Sequence, residues 1–305
     1  MQKNNSPVVK DLVLIGGGHA HVTVLKRLGM KPVPGLRVTL ITRDIHTPYS
    51  GMLPGFVAGH YGYDDCHIDL GPLARFAGAR LYHAEVEGLD IENNEISARG
   101  RPAISYDLLS INTGSRPQSV NVPGVDEFAI AAKPIDIFLK KWSDLQHRVR
   151  QSKDEFRMVI VGGGAGGVEL ALSTQHRLQQ ELTQAGDDPG RLNFSLITQS
   201  DSIMHMHNDG VRQRFERIFA QRHIGIKTNQ QVVEVKPDSV ILDDGSSIAA
   251  DAVIWVTTAA APSWPAAAGL SVDAQGFIRV DKNLQSLSHK NIFAAGDIAS
   301  LLDPR

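Results

Sequence analysis

Cysteine is almost absent from this chain of 305 residues, which contains only Cys66. One thiol excludes an intramolecular disulfide framework and a four-cysteine zinc site. It also excludes any reaction that cycles a pair of thiols within this chain. We therefore expect a reducing, cytoplasmic setting and a chemistry that needs no cysteine pair.

An excess of charge and long apolar runs are lacking as well. The 31 Lys and Arg residues nearly balance the 33 Asp and Glu residues, so no strong positive field would attract nucleic acid. Two charge-free stretches, 45–63 and 252–272, are interrupted by prolines and glycines that break helices. Residues 1–7 are polar and lack the apolar core of a signal peptide. These features predict no nucleic-acid partner and no transmembrane segment.

An internal duplication organises the chain. The glycine triplet at 16–18 recurs at 162–164, and a second pair of similar segments, 106–114 and 250–258, has nearly the same separation. In each copy an apolar strand runs into the glycines and is followed by a helical pattern, a second strand and a hairpin. This order predicts an α/β fold with two Rossmann-like domains, each a doubly wound parallel sheet with a small β-hairpin or meander.

The boundary between the copies is predicted near residues 122–124. Beyond it, Phe138, Trp142, Leu145 and Val149 recur at spacings of three or four, which predicts the buried stripe of a helix. We interpret Phe138 and Trp142 as core residues.

The glycine turns favour dinucleotide binding over plain turns. A pyrophosphate needs bare backbone N–H groups and the positive end of a helix dipole, and glycines allow that close approach. The second copy has the full pattern, with Gly162, Gly164 and Gly167. In the first copy His21 replaces the third glycine. We favour a packed or solvated His21 over one that faces a phosphate.

Neither copy has the acidic residue that often ends the second strand and binds a ribose. Thr42 and Thr198 stand there, although Asp44 and Asp201 follow shortly after. Because no Arg or Lys lies within 198–201, NADH is favoured over NADPH. Near the end of the chain, Asp297 follows a short strand and a glycine, where it caps a helix or accepts a hydrogen bond from a sugar hydroxyl.

Together these motifs resemble the pyridine nucleotide-disulfide oxidoreductase superfamily of flavoproteins with two dinucleotide-binding domains. The resemblance covers nearly the whole chain. Residues 166–171 are similar to type II NADH dehydrogenases, and residues 16–21 and 47–55 look like the flavoprotein module associated with selenide, water dikinase. The resemblance implies an FAD domain of residues 1–122 and 263–305, with a NAD(P)H domain of residues 123–262 between its two parts.

The resemblance also implies the site residues. FAD is expected to contact Gly16, Gly18, His19, Ala20, Thr42, Arg43, Pro54, Thr113, Gly114, Gly296 and Asp297. NAD(P)H is expected to contact Gly162, Gly164, Ala165, Gly166, Gly167, Glu169, Thr198 and Thr257. Glu169 is either a proton relay at the nicotinamide or an acid favoured by the helix dipole. Lys133 is either a cation near the flavin or a surface lysine.

The expected activity is hydride transfer from NAD(P)H to FAD, followed by electron transfer to a second small-molecule acceptor, such as a quinone. The alternative is a redox-sensing module that binds both cofactors without turnover and acts with a selenophosphate-synthesis partner. No metal site is expected, because His205 and His207 lack a nearby third ligand. Whether the protein forms a homodimer is left open by the sequence.

Relatives with this resemblance continue past the motif at Asp297, and we expect their C-terminal region to be missing here. Where that region exists, the protein is expected at the membrane surface; without it, in the cytoplasm.

Overall fold

A computed structural model describes residues 7–117, 122–256 and 259–302. The chain divides into two compact units. The first unit contains residues 1–49, 67–116 and 260–305, and the second contains residues 50–66 and 117–259.

The strands are, in chain order, β1 (Lys10–Ile15), β2 (Leu36–Thr42), β3 (His46–Pro48), β4 (His67–Asp69), β5 (Arg80–His83), β6 (Val86–Asp90), β7 (Glu95–Ala98), β8 (Ile104–Ser105), β9 (Leu108–Ile111), β10 (Arg116–Pro117), β11 (Ala129–Ala131), β12 (Phe156–Val161), β13 (Leu192–Ile197), β14 (Ile224–Lys227), β15 (Val232–Val235), β16 (Ser239–Leu242), β17 (Ser247–Ala249), β18 (Ala252–Trp255), β19 (Ala259–Ala260), β20 (Ile278–Val280), β21 (Ile292–Ala294) and β22 (Ala299–Leu301).

The α-helices are α1 (His19–Met30), α2 (Leu53–Val57), α3 (Tyr63–Cys66), α4 (Leu70–Ala77), α5 (Val125–Phe128), α6 (Ile135–Gln151), α7 (Ala165–Gln184), α8 (Asp209–Gln221) and α9 (Trp264–Ala267). Short 3-10 turns lie at Ser50–Met52, Pro189–Arg191 and Gly296–Ile298.

Each unit is built on a parallel five-stranded sheet, and the two sheets have the same plan. The order is β21-β9-β1-β2-β5 in the first unit and β11-β18-β12-β13-β14 in the second. All neighbouring strands run parallel. In both sheets the strand that precedes the glycine turn lies at the centre. The predicted duplication and the predicted fold class are confirmed.

The central strands are apolar on both faces because both faces are covered, as is usual for parallel sheets. Successive residues of β1 alternate between two cores, with Val13 and Ile15 in one and Leu14 in the other. In β12, Ile160 packs on the helix side and Val161 on the opposite side.

An antiparallel three-stranded meander accompanies each sheet. These are β6-β7-β8 in the first unit and β15-β16-β17 in the second, as the sequence predicts. In the second unit α6 buries Phe138, Trp142, Leu145 and Val149, which confirms the predicted core stripe.

The predicted domain range 1–122 does not match the compact units at residues 50–66. Helix α2 packs against α7, and the side chains of Leu53, Phe56 and Val57 join the core beside that helix. The segment therefore belongs to the second unit, because its apolar residues are buried there. The units also change over at residues 116–117 and 259–260 instead of near 122 and 262. Which cofactor each unit binds stays a prediction.

None of the helices in the described ranges is both long and apolar enough to cross a bilayer.

Candidate functional site

The first glycine turn joins β1 to α1 in the first unit. Gly16 adopts a left-handed φ of 91°, and a Cβ atom placed on it would collide with the backbone carbonyl of Asn112. Gly18 is the N-cap of α1, and a Cβ atom there would collide with the Asn112 side-chain amide. Gly16 therefore requires glycine, whereas a side chain at Gly18 would require the Asn112 side chain to move. The N-terminus of α1 keeps bare backbone N–H groups at the turn.

His21 occupies the third glycine position and is a packed residue. It is 1% exposed, and its ring nitrogens lie 2.6 Å from the Gly16 carbonyl oxygen (Nδ1) and 2.8 Å from the Ser110 Oγ (Nε2). Because a carbonyl only accepts, Nδ1 donates to Gly16 and Nε2 accepts from the Ser110 hydroxyl. Burial lowers the pKa of His21 to about 4, so the ring is neutral at pH 7.

The second glycine turn joins β12 to α7 in the second unit. Gly162 has a φ of 125°, and Gly164 is the N-cap of α7, with nothing within 4 Å of the place where its Cβ would lie. A Cβ on Gly167 would collide with the Gly162 carbonyl oxygen. The helix thus approaches the turn directly here, whereas in the first unit the His21 ring donates to the equivalent carbonyl.

Thr42 and Thr198 are both buried beneath the middle glycine of their turn. A Cβ on Gly17 would lie 3.2 Å from the Thr42 Oγ1, and a Cβ on Gly163 would lie 2.7 Å from the Thr198 Cβ. The Thr42 hydroxyl donates to the Asp44 carbonyl at 2.8 Å. The threonines support the turns from below, and a cofactor contact for them stays a prediction.

The end of β9 and the end of β21 meet at the first turn, because these strands are neighbours in the sheet. Gly296 has a φ of 73°, and its Cβ would lie 2.7 Å from the Asn112 Oδ1. Asp297 is exposed in the following 3-10 turn and accepts a hydrogen bond from the Ser115 Oγ at 3.2 Å. Thr113 is exposed, and Gly114 is left-handed with a φ of 72°.

Other predicted residues of the first unit surround this turn. His19 and Ala20 begin α1, and the His19 ring lies 4.8 Å from the Tyr49 ring, centroid to centroid. Partial burial lowers the pKa of His19. Arg43 follows Thr42 and pairs with Asp44 at 2.7 Å.

The remaining predicted residues belong to the second unit or lie outside the described residues. Pro54 stands in the first turn of α2, in the second unit. Ala165, Gly166 and Glu169 lie at the start of α7, and the Glu169 side chain is exposed. Lys133 is half-buried just before α6. Thr257 lies outside the described residues.

The sequence reasoning missed Asn112. This residue contacts the positions of Gly16, Gly18 and Gly296, yet it was read only as part of the repeated strand end. A comparison of the two copies could have found it, because the second copy has an apolar residue, Val256, where the first has the polar Asn112.

Both turns fit a dinucleotide. Each offers a cradle that a side chain would fill, at the N-terminus of a helix of at least 12 residues. In the first unit a buried amide donor, the Asn112 Nδ2, lacks a hydrogen-bond partner among the described residues. The backbone N–H groups at the start of each helix suit a pyrophosphate, which only accepts hydrogen bonds.

A protein-family model described as "Pyridine nucleotide-disulphide oxidoreductase" matches residues 10–304. The chain is 26% identical to the NADH dehydrogenase-like protein YutJ of Bacillus subtilis, over 96% of this chain and 78% of that protein. It is 25% identical to the demethylphylloquinone reductase NdbB of Synechocystis sp., over 72% of this chain and 54% of that protein. The chain therefore spans only about half the length of some curated relatives.

Among solved structures, NDH2 from Plasmodium falciparum in complex with NADH matches with a TM-score of 0.83. The two sequences are 20% identical, and the match covers 96% of this chain and 65% of that chain. This likeness confirms the fold. An association with selenide, water dikinase is not shown by these relatives and stays a prediction.

The buried His21 predicts a pH dependence of stability. Its pKa is 6.5 ordinarily and about 4 in the folded chain, so the unfolded chain binds the proton more readily. The contribution of His21 to the free energy of unfolding is complete above pH 6.5. It is lost as the pH drops toward 4, and the loss amounts to at most about 3 kcal/mol.

Urea unfolding between pH 7 and 4.5 measures this loss. As a control, His21→Asn keeps an N–H near the position of Nδ1 but does not titrate, so its stability is expected to fall less steeply. Equal slopes for the two proteins would contradict this role of His21.

The contact between Gly167 and Gly162 predicts the effect of a methyl group. Alanine normally stabilises a helix interior relative to glycine. Gly167→Ala is nevertheless expected to cost about 1–3 kcal/mol, because its Cβ meets the Gly162 carbonyl and α7 must shift.

Thermal and urea unfolding of the cofactor-free protein test this expectation. Gly164→Ala is the matched control and is expected to cost less than Gly167→Ala, since its Cβ enters open space and only the N-cap preference for glycine over alanine is lost. If both variants were as stable as the wild type, α7 would not depend on this contact.

Proposed function

The chain belongs to the pyridine nucleotide-disulphide oxidoreductase family, and on that basis we propose that it is an FAD-dependent NAD(P)H oxidoreductase similar to the NADH dehydrogenases. One observation carries the proposal: two glycine turns stand at equivalent strand ends of two parallel sheets. One chain can thus hold two dinucleotides, as a reaction between a nicotinamide and a flavin requires.

We assign FAD to the first unit. The backbone N–H groups at Gly16–Gly18 and the start of α1 would hold its pyrophosphate. Asp297 would accept a hydrogen bond from a hydroxyl of the ribityl chain, because its carboxylate is exposed and oriented by the Ser115 hydroxyl.

We assign NAD(P)H to the second unit, with NADH preferred. The open space at Gly164 and the start of α7 would receive its pyrophosphate. In the loop after β13, the exposed Asp201 carboxylate suits ribose hydroxyls and would repel a 2′-phosphate. Arg212 reaches this loop, at 3.4 Å from the Ser202 Oγ, but it is paired with Asp209.

When bound, the cofactors supply the redox chemistry, in which the nicotinamide gives a hydride to the flavin and the electrons then leave for an acceptor. The chain's own residues bind and orient them. Glu169, exposed near the start of α7, is proposed to carry a proton during the second step. Lys133 is proposed as a cation near the flavin.

We propose that the acceptor is a small molecule such as a quinone. The single cysteine cannot form a redox disulfide within the chain, so electrons must leave the flavin for something else. Cys66 is also buried, and desolvation raises the pKa of its thiol, which disfavours the reactive thiolate. The name of the relative NdbB, a demethylphylloquinone reductase, supports a quinone.

A sensor that binds both cofactors without turnover, with a selenophosphate-synthesis partner, is the second candidate. The imperfect first glycine pattern, with His21 at its third position, supports a sensor, and the resemblance of residues 16–21 and 47–55 to the flavoprotein module associated with selenide, water dikinase supports that partner.

The visible absorption spectrum of the purified chain, before and after anaerobic NADH, tests the proposal. We expect a flavin band that bleaches with NADH faster than with NADPH, and sustained NADH oxidation once a soluble quinone is added. A chain that binds no flavin, or whose flavin ignores both nucleotides, would contradict the proposal. Bleaching without turnover on any quinone would support the sensor.

Substitution of Glu169 distinguishes between a proton relay and an acid that only complements the helix dipole. If it relays a proton, Glu169→Gln slows flavin reoxidation by quinone roughly 10- to 100-fold and leaves flavin reduction by NADH unchanged. Stopped-flow measurements of the two half-reactions show this split. Glu216→Gln, an exposed acid on α8, is the control. Unchanged reoxidation would leave Glu169 as an acid that only complements the helix dipole.

A further inference from the structure

Five exposed apolar side chains gather at the amino edge of the first sheet, the edge at which its parallel strands begin. Helices α1 and α4 pack together on one face of this sheet, and each ends shortly before a strand begins, α1 before β2 and α4 before β5. Their last turns therefore meet at this edge, where the Phe76 ring lies against Gly29. The five side chains, which are 48–73% exposed, are Val8, Val9, Met30, Val33 and Phe76.

These five side chains form one surface, which we call the edge patch. Met30 ends α1 directly after Gly29, and the turn that follows carries Val33. Val9 lies against Gly35 at the end of that turn, and its N–H donates to the Gly35 carbonyl at 2.8 Å. The edge patch therefore runs from α4 across the end of α1 to the start of β1. Neighbouring apolar side chains that are this exposed mark an interaction surface.

Basic side chains surround the edge patch, and the sequence around it is poor in acids. Asp11 is the only acidic residue within 1–43, and there is none within 70–84. The Asp11 carboxylate is held by Arg37 at 2.5 Å and faces Arg80 at 3.9 Å. Five exposed basic side chains near this edge have no salt bridge or hydrogen bond to any residue that the structure describes: Lys10, Lys26, Arg27, Lys31 and Arg75.

A lipid bilayer with anionic headgroups matches both properties of this edge. Its headgroups attract Lys and Arg, and its apolar layer begins directly beneath them, so that apolar side chains can enter while basic ones stay at the surface. A cluster of about four or more basic residues is typical of proteins that bind such lipids. The edge patch also protrudes, because a groove that fits a peptide or a small ligand would cover its side chains in part.

Other occupants match this edge less well. A second copy of the chain would bring the five unpaired positive charges of each copy against those of the other, and such like-charge contacts are costly. The net charge of the whole chain is −2, so attraction to an anionic surface requires a local excess of positive charge. The amino edge of the first sheet supplies that excess.

We propose that the amino edge of the first unit is a membrane-binding surface that docks reversibly on an anionic lipid bilayer. The five basic side chains contact the headgroups, and Met30 and Phe76 enter the boundary between headgroups and acyl chains. Helix α1 has 12 residues and is about 18 Å long, so the glycine turn at its other end stays clear of the lipid. The surface lies on α1, α4 and the start of β1, and the proposal does not rest on the proposed function.

Co-sedimentation of the full chain with vesicles tests the proposal. We expect the wild-type protein to sediment with vesicles of phosphatidylcholine that contain about one third phosphatidylglycerol, and not with vesicles of phosphatidylcholine alone. Raising the salt from about 0.1 M to about 0.5 M is expected to release it. A protein that sediments with neither kind of vesicle, or equally with both, would overturn the proposal.

Substitutions identify the surface that binds. The double variant Lys26→Gln with Arg27→Gln is expected to weaken binding roughly 25-fold, since each basic residue at the bilayer contributes a factor of about five. Met30→Gln keeps the length of the side chain but is expected to weaken binding severalfold, because an amide enters the lipid less readily. Arg214→Gln with Arg217→Gln is the matched control. It removes the same charge from two exposed residues of α8 in the second unit and is expected to leave binding unchanged.

These variants change exposed side chains, so their melting temperatures are expected to equal that of the wild type. If the α8 control weakens binding as much as the α1 pair, net charge rather than this edge drives the binding, and the proposal fails. If Met30→Gln binds like the wild type, no apolar side chain enters the lipid, and the edge patch is overturned as an insertion surface. The assay uses no cofactor, so its failure leaves the proposed oxidoreductase activity untouched.

Discussion

Both units depend on one constraint: the glycine turn or the helix that follows it must lie almost against a carbonyl group at the end of a parallel sheet. In the first unit the Asn112 carbonyl lies against Gly16 of the turn, and in the second the Gly162 carbonyl lies against Gly167 of the helix. A side chain at Gly16 would displace the turn, and one at Gly167 would displace the helix. The same closeness leaves the helix N–H groups bare, so the requirement of packing and the capacity to bind a phosphate have a common origin.

The two units form the same glycine turn with different residues at its third glycine position. In the second unit a glycine brings the helix backbone against the turn, whereas in the first unit the buried His21 ring fills the larger gap and holds the Gly16 carbonyl. The histidine has to stay neutral for this, since both ring nitrogens are used and burial disfavours the charged form. A sequence pattern that demands three glycines would score the first turn as defective, although its geometry is intact.

The parallel sheets, the glycine turn after the first strand of each copy and the meanders could be predicted from the sequence, because each follows from local patterns that occur twice. The buried stripe of α6 was predictable because its apolar residues recur at spacings of three or four. The position of residues 50–66 was not, since a short apolar segment carries no information about which core receives it. Asn112 was also missed, because its importance lies in contacts with Gly18 and Gly296, and Gly296 is far from it in sequence.

The two sheets differ in where their outer strand comes from. In the second unit β11 precedes the central strand, so its five strands lie within residues 129–227 and 252–255. In the first unit β21, at residues 292–294, supplies the strand beside β9. During synthesis on the ribosome, the second sheet can therefore be complete while β9 still has an unpaired edge. The sheet that contains β1 therefore closes after the second sheet, and until then the unpaired edge of β9 is open to wrong pairing.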